Sequence, residues 1–385
     1  MDIEKVAVIG AGLMGSGIAA HIANAGIPVT LLDIVPKDAP NRSIIAENAV
    51  NNMLKPVKMG SPAPLMHKKN AKLITTGNLE DDLNLIGDAD LIIEVVLEKL
   101  EIKHDVFQKI NNFRKKNSIV TSNTSTIPRE MLVKGMPESF AQDFMISHFF
   151  NPPRYLRLLE IIAGNEVSKE KVEAITKFCD LKLGKEVVIC NDTPGFIGNR
   201  IGTYWTLVGM IEAVKLGLTV EEADAVMGRP IGAPKTGIFG LLDVVGLDLI
   251  PHVTESMSSN LSDEDMYNLS VNQQAGLGID KMLETMISEG YIGRKGKGGF
   301  YRLNTETGKK IKESRNLETG VYNRSNKRIG FESVKAAKKG LRTLVEYNDK
   351  GGEYFSHFLT YWKIAISFSN IDKWMLPELK GILKS

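Results

Sequence analysis

A histidine and a glutamate are placed symmetrically about a predicted turn. His148 and Glu160 are equally far from Arg154, and the run Asn151-Pro-Pro153 predicts a turn between two strands. If those strands pair as a hairpin, the two side chains meet across the ladder about 5 Å apart. A carboxylate beside an imidazole fixes its tautomer and stabilises its protonated form, as a general base requires. The alternative is a strand histidine satisfied by a polar neighbour, and this spacing alone leaves both open.

A glycine-rich turn between a predicted strand and a predicted helix has the spacing of a dinucleotide-binding site. Gly10 permits the tight turn, Gly12 lets the backbone approach a pyrophosphate, and Gly15 lets the helix pack on the strand. The helix N-terminus offers free N–H groups to the phosphates. Asp33 ends the next strand, where it would accept hydrogen bonds from ribose hydroxyls, and it is followed by Ile34, not by arginine. The pattern predicts NAD, not NADP, as cofactor.

Two further polar clusters lie where ligands of an α/β sheet are expected. Residues 122–126 read Ser-Asn-Thr-Ser-Thr and follow a predicted strand. Residues 192–200 read Asp-Thr-Pro-Gly-Phe-Ile-Gly-Asn-Arg and open the first long helical stretch. The carboxyl ends of parallel strands face the ligand crevice, so the first cluster is predicted to face a bound ligand.

The elements that must position these groups form three regions. Residues 1–190 alternate short apolar strands with helical patterns, which predicts an α/β, Rossmann-like domain with a largely parallel sheet. Residues 191–302 show helical patterns and predict an all-α domain. Residues 303–385 are predicted to be a basic linker and a helical extension, because residues 309–342 hold eleven Lys or Arg and three Glu.

Composition narrows the class of protein. The 385 residues are 43% hydrophobic and 24% charged, as expected for a soluble globular protein, and the formal charge of +2 gives no indication of nucleic-acid binding. No segment is long and apolar enough to predict a membrane span. Only two cysteines are present, which favours a reducing compartment, so a cytoplasmic location is expected. The sequence predicts no metal site.

The order of these motifs resembles one known family. The run Gly10-Ala-Gly-Leu-Met-Gly15, the Ser-Asn-Thr-Ser cluster, His148-Phe-Phe-Asn-Pro and Asp192-Thr-Pro-Gly-Phe-Ile-Gly-Asn-Arg look like 3-hydroxyacyl-CoA dehydrogenase. The segment Leu241-Leu-Asp-Val-Val-Gly-Leu-Asp248 is also similar. The resemblance covers residues 1 to about 302 and implies a Rossmann-like domain followed by a helical domain that usually dimerises.

The resemblance assigns roles to individual residues. It implies that His148 is the general base and that Glu160 is its partner. It implies that Ser125 and Asn199 bind the reacting oxygen or position the acyl group. Together with the glycine-rich turn, it predicts the following cofactor-binding residues: Gly10, Gly12, Leu13, Met14, Gly15, Asp33, Val95, Glu98, Lys103, Ser125, Asn151 and Lys295.

The implied reaction is the reversible NAD-dependent oxidation of an (S)-3-hydroxyacyl-CoA to a 3-ketoacyl-CoA. A short chain such as 3-hydroxybutyryl-CoA is expected, and the implied partner is a second copy of the chain. The chain is also similar to the front portion of longer relatives in which a dehydrogenase precedes an enoyl-CoA hydratase module. Association with such a hydratase is therefore expected.

The segment where the family contacts coenzyme A departs from the family pattern. Three prolines between Met53 and Pro64 make a regular helix unlikely there. The anionic phosphates of coenzyme A are instead predicted to meet lysines of this segment, namely Lys55, Lys58, Lys68 and Lys69. Ordinary surface lysines on a long loop are the alternative.

Two other functions share this fold. One is a dehydrogenase of a free hydroxy acid, such as a sugar acid. The other is a catalytically silent structural protein, against which the presence of His148, Glu160, Ser125 and Asn199 together argues.

Overall fold

A computed structural model describes residues 1–56, 62–306, 308–326 and 329–368 of the chain. The chain divides into two compact units, Met1–Asn199 and Arg200–Ser385. None of the described helices is long and apolar enough to cross a membrane.

The first unit is built on one eight-stranded sheet. Its strands are β1 (Val6–Ile9), β2 (Val29–Asp33), β3 (Ile74–Asn78), β4 (Leu91–Glu94), β5 (Ile119–Ser122), β6 (Phe144–Phe149), β7 (Leu158–Ala163) and β8 (Glu186–Ile189). Their order in the sheet is β3-β2-β1-β4-β5-β6-β7-β8. All neighbouring strands run parallel except β6 and β7, which form an antiparallel hairpin.

Helices cover both faces of this sheet. They are α1 (Leu13–Asn24), α2 (Ile44–Met53), α3 (Leu100–Phe113), α4 (Arg129–Val133), α5 (Glu138–Ala141) and α6 (Lys169–Leu181). Successive strand residues point to opposite faces, so Val6 and Val8 join the core with α1, α2 and α6, while Ala7 and Ile9 join the core with α3, α4 and α5. The predicted Rossmann-like α/β architecture is confirmed.

The second unit is mainly helical. It contains most of α7 (Gly198–Lys215), together with α8 (Val220–Val226), α9 (Phe239–Val245), α10 (Ile250–Ser258), α11 (Met266–Gly276), α12 (Ile279–Ser288), α13 (Glu332–Ala336) and α14 (Lys350–Phe368). Helix α14 belongs to the predicted helical extension. Its Phe355, Phe358 and Leu359 are buried in the same apolar core as Val208 and Ile211 of α7, so this part of the extension is integral to the unit.

The segment predicted to be a basic linker contains a small antiparallel sheet, so that prediction is wrong. Its strands are β9 (Tyr301–Asn304), β10 (Ile311–Arg315) and β11 (Tyr322–Arg324), in the order β11-β10-β9. Arg302 lies opposite Glu313 in the ladder and pairs with it at 2.7 Å, and its guanidinium lies 4.1 Å from the centre of the Tyr322 ring. These charged side chains make contacts across the strands, whereas the sequence pattern predicted that they would be exposed to solvent.

Candidate active site

The hairpin of β6 and β7 brings the predicted pair together. His148 lies directly opposite Glu160 in the ladder, which confirms the expected register. The Nδ1 atom of His148 lies 2.7 Å from Oε2 of Glu160, and both side chains are buried. A carboxylate only accepts, so Nδ1 carries the proton in this bond. The other ring nitrogen, Nε2, makes no hydrogen bond within the described part of the chain and is free to exchange a proton.

The second carboxylate oxygen of Glu160 is held by the polypeptide backbone. Oε1 accepts hydrogen bonds from the N–H groups of Ile197 at 2.9 Å and Gly198 at 2.6 Å. These residues lie in the Pro-Gly-Phe-Ile-Gly run that leads into α7. Two such bonds fix the orientation of the carboxylate. Glu160 is therefore a rigid support for the imidazole.

Two aromatic rings border the imidazole. The ring centres of Phe150 and Phe196 lie 4.4 Å and 5.8 Å from that of His148. A Cβ atom at Gly198 would come within 2.5 Å of the Phe150 ring, so this ring needs a glycine at position 198. The rings exclude water from one side of the imidazole, which strengthens its interaction with Glu160.

Ser125 and Asn199 are also neighbours in the first unit. The Asn199 side-chain amide donates to the backbone oxygen of Ser125 at 3.4 Å, a long hydrogen bond. The structure therefore brings together all four predicted catalytic residues on β6, β7, the loop after β5 and the start of α7. Such an arrangement can move a proton and bind an adjacent oxygen atom.

A buried lysine and two glutamates hold the loop that carries Ser125. The ammonium of Lys103 lies 2.9 Å from Glu94 and 3.2 Å from Glu98. Glu98 in turn accepts hydrogen bonds from the Thr124 hydroxyl and, at 3.0 Å, from the Ser125 N–H. Burial raises the pKa of Glu98, but Lys103 and these donors outweigh it, so the pKa lies below its usual value. Glu98 and Lys103, predicted at the cofactor, thus also fix the loop.

Sequence reasoning missed Glu94, and it gave Asn123 no role beyond membership of the Ser-Asn-Thr-Ser-Thr cluster. Glu94 ends β4, is fully buried, and accepts from the hydroxyl of Ser122 at 2.5 Å and from the N–H of Val96 at 2.6 Å. Asn123 accepts from the N–H of Phe149 at 2.9 Å and so ties the loop after β5 to the end of β6. The signal for Glu94 in the sequence was an acidic residue that directly ends an apolar strand.

The glycine-rich turn has the geometry that NAD requires. Gly10 has φ +106°, and a Cβ atom at Gly15 would come within 1.8 Å of the Gly10 carbonyl oxygen. Gly12 has no atom within 4 Å of an added Cβ, so space lies in front of the first turn of α1. That turn contains no acidic residue and has no side-chain cap. Its N–H groups are therefore available to phosphate oxygens, and NAD fits this turn.

The neighbouring cofactor candidates surround the same turn. Asp33 accepts from the N–H of Ala11 at 2.5 Å and is only partly buried, so it can also accept from a ribose. Leu13 is 75% exposed, whereas Met14 packs against the core. The Val95 carbonyl oxygen is the atom that leaves no room for a side chain at Gly10.

Asn151 and Lys295 lie in different units. Asn151 is exposed in the loop between β6 and β7. Lys295 lies in the second unit, where its ammonium pairs with Asp248 at 2.7 Å. This ion pair lies within the second unit, and the role of Lys295 at the cofactor stays a prediction.

The predicted coenzyme A lysines lie on an exposed loop. Lys68 and Lys69 open a short 3-10 helix, Lys68–Leu73, whose first turn is capped by the His67 side chain. Lys55 is exposed just after α2, and the side chains of all three lysines make no hydrogen bond or salt bridge within the described residues. Lys58 lies outside the described residues. The loop is anchored by Asn24, which donates to the Pro64 oxygen at 2.9 Å and accepts from the Met66 N–H at 2.8 Å.

Comparison with known proteins agrees with this geometry. Residues 5–193 match the NAD binding domain of 3-hydroxyacyl-CoA dehydrogenase, and residues 195–303 match its C-terminal domain. A probable 3-hydroxyacyl-CoA dehydrogenase of Deinococcus radiodurans is 41% identical over 302 residues, covering 78% of this chain and 83% of the relative.

Longer proteins are also similar. A putative fatty acid oxidation complex trifunctional enzyme of Rickettsia prowazekii is 40% identical over 366 residues, covering 95% of this chain but 49% of the relative. The chain thus spans about half the length of such curated relatives.

A solved structure shows the same fold. The crystal structure of 3-hydroxybutyryl-CoA dehydrogenase from Escherichia coli K12 aligns with a TM-score of 0.63 at 26% identity, covering 78% of this chain and 59% of that one. With both family domains matched and a close relative covered over most of its length, the chain belongs to the 3-hydroxyacyl-CoA dehydrogenase family.

Proposed function

We propose that this chain catalyses the reversible NAD-dependent oxidation of an (S)-3-hydroxyacyl-CoA to the 3-ketoacyl-CoA. The observation that carries the proposal is the buried contact of 2.7 Å between His148 and Glu160, with Nε2 of the histidine left to exchange a proton. A short-chain substrate such as 3-hydroxybutyryl-CoA is favoured by the named activity of the similar E. coli structure.

His148 acts as the general base in the oxidative direction. Its Nε2 accepts the proton of the substrate hydroxyl, and the imidazolium that forms remains hydrogen-bonded through Nδ1 to Glu160. Glu160 keeps its orientation because Ile197 and Gly198 donate to its other oxygen. NAD, when bound, would accept the hydride that leaves the carbon bearing the substrate hydroxyl. In the reverse direction His148 returns the proton to the oxygen.

Ser125 and Asn199 hold the reacting oxygen and the adjacent acyl group. The Asn199 amide donates to the Ser125 backbone oxygen over 3.4 Å, which keeps the two residues together at the site. Glu98 supports this role by fixing the backbone of the Ser125 loop. Donors held in advance stabilise charge on the substrate oxygen without reorganising during the reaction.

The chain's own residues define how NAD is held. The N–H groups at the start of α1, reached past Gly12, bind the pyrophosphate, and Asp33 accepts from the adenine ribose hydroxyls. A carboxylate at that position repels a 2′-phosphate, which favours NAD over NADP. Glu98, Lys103, Asn151 and Lys295 are proposed to complete the cofactor site.

Coenzyme A binding is assigned to the loop that carries Lys55, Lys58, Lys68 and Lys69. In the three described members the ammonium groups have no protein partner, and the 3-10 helix displays Lys68 and Lys69 at an anchored position. Neutralising three of these lysines is expected to raise the KM for acyl-CoA and to spare the KM for NADH.

The proposed setting is a cytoplasmic homodimer that associates with an enoyl-CoA hydratase. The match to one half of trifunctional relatives supports the hydratase partner. Cys179 and Cys190 are both free and buried, which is compatible with a reducing compartment.

One spectrophotometric assay tests the proposed reaction. NADH oxidation is followed with acetoacetyl-CoA, with free acetoacetate and with neither. We expect rapid NADH oxidation with acetoacetyl-CoA and none with free acetoacetate. Equal rates with the free acid indicate a hydroxy-acid dehydrogenase, and no oxidation with either indicates a silent member of the family. A chain-length series of thioesters then tests the short-chain preference.

A further inference from the structure

The second unit contains a large cavity that the proposed reaction does not use. Its volume is about 1220 Å³, and its walls come from α8, α9, the small sheet β9–β10 and α13. A cavity of this size accommodates a ligand as large as a nucleotide. We call it the basic cavity because, among the described residues, seven Lys or Arg side chains line it, against three Asp or Glu.

Four of these cations make no hydrogen bond or salt bridge with the described residues. Arg229, Lys235, Arg294 and Lys338 are exposed at the cavity, and within the described part of the chain their side chains make no hydrogen bond and no salt bridge. Arg294 lies close enough to Asp243 to lower the pKa of that carboxyl, but burial is the larger influence and raises the pKa to about 6. The seven cations outnumber the three acids among the described lining residues, and this excess of positive charge favours an anionic ligand.

The three acids of the basic cavity are engaged in holding its walls. Asp224 accepts from the N–H groups of Phe239 at 2.7 Å and Gly240 at 3.0 Å, and from the Tyr301 hydroxyl at 2.8 Å. Asp243 accepts from the N–H groups of Phe300 and Tyr301, both at 2.8 Å. These hydrogen bonds hold the walls of the basic cavity in place.

Glu221 has a similar role at the small sheet. It accepts from the Ser314 hydroxyl at 2.7 Å and from the Asn326 N–H at 2.8 Å.

Part of the cavity wall is apolar. Pro230, Val334 and Ala337 add apolar wall to the same space. A ligand with an anionic end and a less polar body matches this lining.

We propose that the basic cavity binds a nucleotide that carries at least two phosphate groups, at a site separate from the loop of Lys55, Lys58, Lys68 and Lys69; adenosine 3′,5′-bisphosphate represents this class. The two arginines among the four cations favour phosphate, because the guanidinium fork bonds two phosphate oxygens at once. Two phosphate groups match four cations better than one carboxylate does. The proposal does not rest on the dehydrogenase reaction, because every residue that lines the cavity belongs to the second unit.

Calorimetric titration of the full chain with adenosine 3′,5′-bisphosphate tests this site. The wild-type protein is compared with R229Q/R294Q and with a matched control, K281Q/K310Q, which neutralises two exposed cations of the same unit outside the cavity. The proposal expects binding that weakens at least about tenfold in R229Q/R294Q, because charged hydrogen bonds are lost. The control variant is expected to bind as the wild type does. Both variants are expected to keep the melting temperature and the rate of NADH oxidation with acetoacetyl-CoA.

Three further titrations identify which chemical group of the ligand the cavity binds. Adenosine is expected not to bind, inorganic phosphate to bind weakly, and decanoate not to compete. Binding of the bisphosphate that is equal in the wild type and in R229Q/R294Q overturns the proposal, because such binding lies elsewhere on the chain. Absence of binding overturns it as well. Competition by decanoate assigns the cavity to fatty carboxylates and equally contradicts a nucleotide site.

Discussion

Two buried carboxylates, one in each compact unit, make similar hydrogen bonds. Glu160 in the first unit and Asp224 in the second each accept from two consecutive backbone N–H groups. Each also accepts from one side chain, and there the two units differ. The third donor is the imidazole of His148 for Glu160, at 2.7 Å, and the phenol of Tyr301 for Asp224, at 2.8 Å.

The same backbone hydrogen bonds to a buried carboxylate can thus be combined with a side chain that exchanges protons or with one that does not. Burial, followed by the nearby Asp224 charge, raises the pKa of Tyr301 far above its usual value, so this phenol keeps its proton. An imidazole exchanges its proton near neutral pH. We therefore propose that the carboxylate with an imidazole partner supports catalysis, whereas the carboxylate with a phenol partner joins α8 to α9 and to β9.

Removal of the imidazole is expected to have the largest effect. His148→Gln removes the base, so turnover with acetoacetyl-CoA and NADH should fall on the order of 10²–10⁴-fold. The variant should still bind NADH, since no predicted contact to the nucleotide is changed. Stopped-flow measurement of NADH oxidation gives the rate, and fluorescence titration gives the NADH affinity. Turnover within about threefold of the wild type would remove His148 from the mechanism.

Replacement of the carboxylate that supports the imidazole is expected to have the next largest effect. In Glu160→Gln the amide oxygen can accept from the backbone, but the amide nitrogen then donates to Nδ1 and moves the ring proton to Nε2. The nitrogen that faces the substrate can then no longer accept a proton. The turnover number should fall about tenfold or more, equivalent to at least about 1.4 kcal/mol in the barrier. Unchanged turnover and an unchanged pH profile would exclude the pairing.

The matching change in the second unit is expected to affect stability and not catalysis. Asp224→Asn leaves one acceptor oxygen for two backbone N–H groups, which costs about 1–3 kcal/mol of unfolding free energy. Urea unfolding measures this cost, and NADH oxidation with acetoacetyl-CoA should keep the wild-type rate. A fall in turnover comparable to that of Glu160→Gln would break the distinction between the two carboxylates.

The same variant has a predicted pH dependence. Burial raises the pKa of Asp224 from 3.8 to about 7, so between these pH values the folded chain binds more protons than the unfolded chain. The contribution of this carboxyl to wild-type stability therefore falls as pH rises through that window. An asparagine does not titrate, so the deficit of Asp224→Asn should be larger at pH 5 than at pH 8. An equal deficit at both values would contradict the shifted pKa.

A third carboxylate, that of Asp33, is only partly buried, and its replacement is expected to have the smallest effect. Asp33 accepts from the N–H of Ala11 at 2.5 Å and keeps an accessible face for a ribose. Asp33→Ala should narrow the preference for NADH over NADPH by roughly tenfold, because a repulsive charge and an acceptor are lost. The ratio of kcat/KM for the two cofactors measures the change. A wild-type enzyme that uses both cofactors equally well would overturn the role of Asp33.

The sequence was informative where local spacing determines contact. The turn at Asn151-Pro-Pro153 and the symmetry about Arg154 predicted the His148–Glu160 pairing, because an antiparallel ladder pairs residues equidistant from its turn. The glycine spacing predicted the first turn of α1 for the same local reason.

Contacts between distant segments were not predictable in this way. Glu94 looked like the end of an apolar strand, and only the fold shows that Lys103, Ser122 and Val96 all bond to it. Strands β3 and β8 lie at the two edges of the sheet and were not predicted, because β3 reads Ile-Thr-Thr-Gly-Asn without an apolar run and no residue of β8 is buried. Strands β9–β11 were missed because their many charged side chains have the pattern of a linker, although several pair across strands.

The central claim is that His148 and Glu160 act as one unit, and a double-mutant cycle tests it most directly. Single-turnover NADH oxidation with acetoacetyl-CoA is measured for the wild type, His148→Gln, Glu160→Gln and the double variant. If Glu160 acts only through His148, the double variant is as slow as His148→Gln and no slower. Rate losses that multiply in the double variant would show that the two residues act independently, and would contradict the pairing on which this account rests.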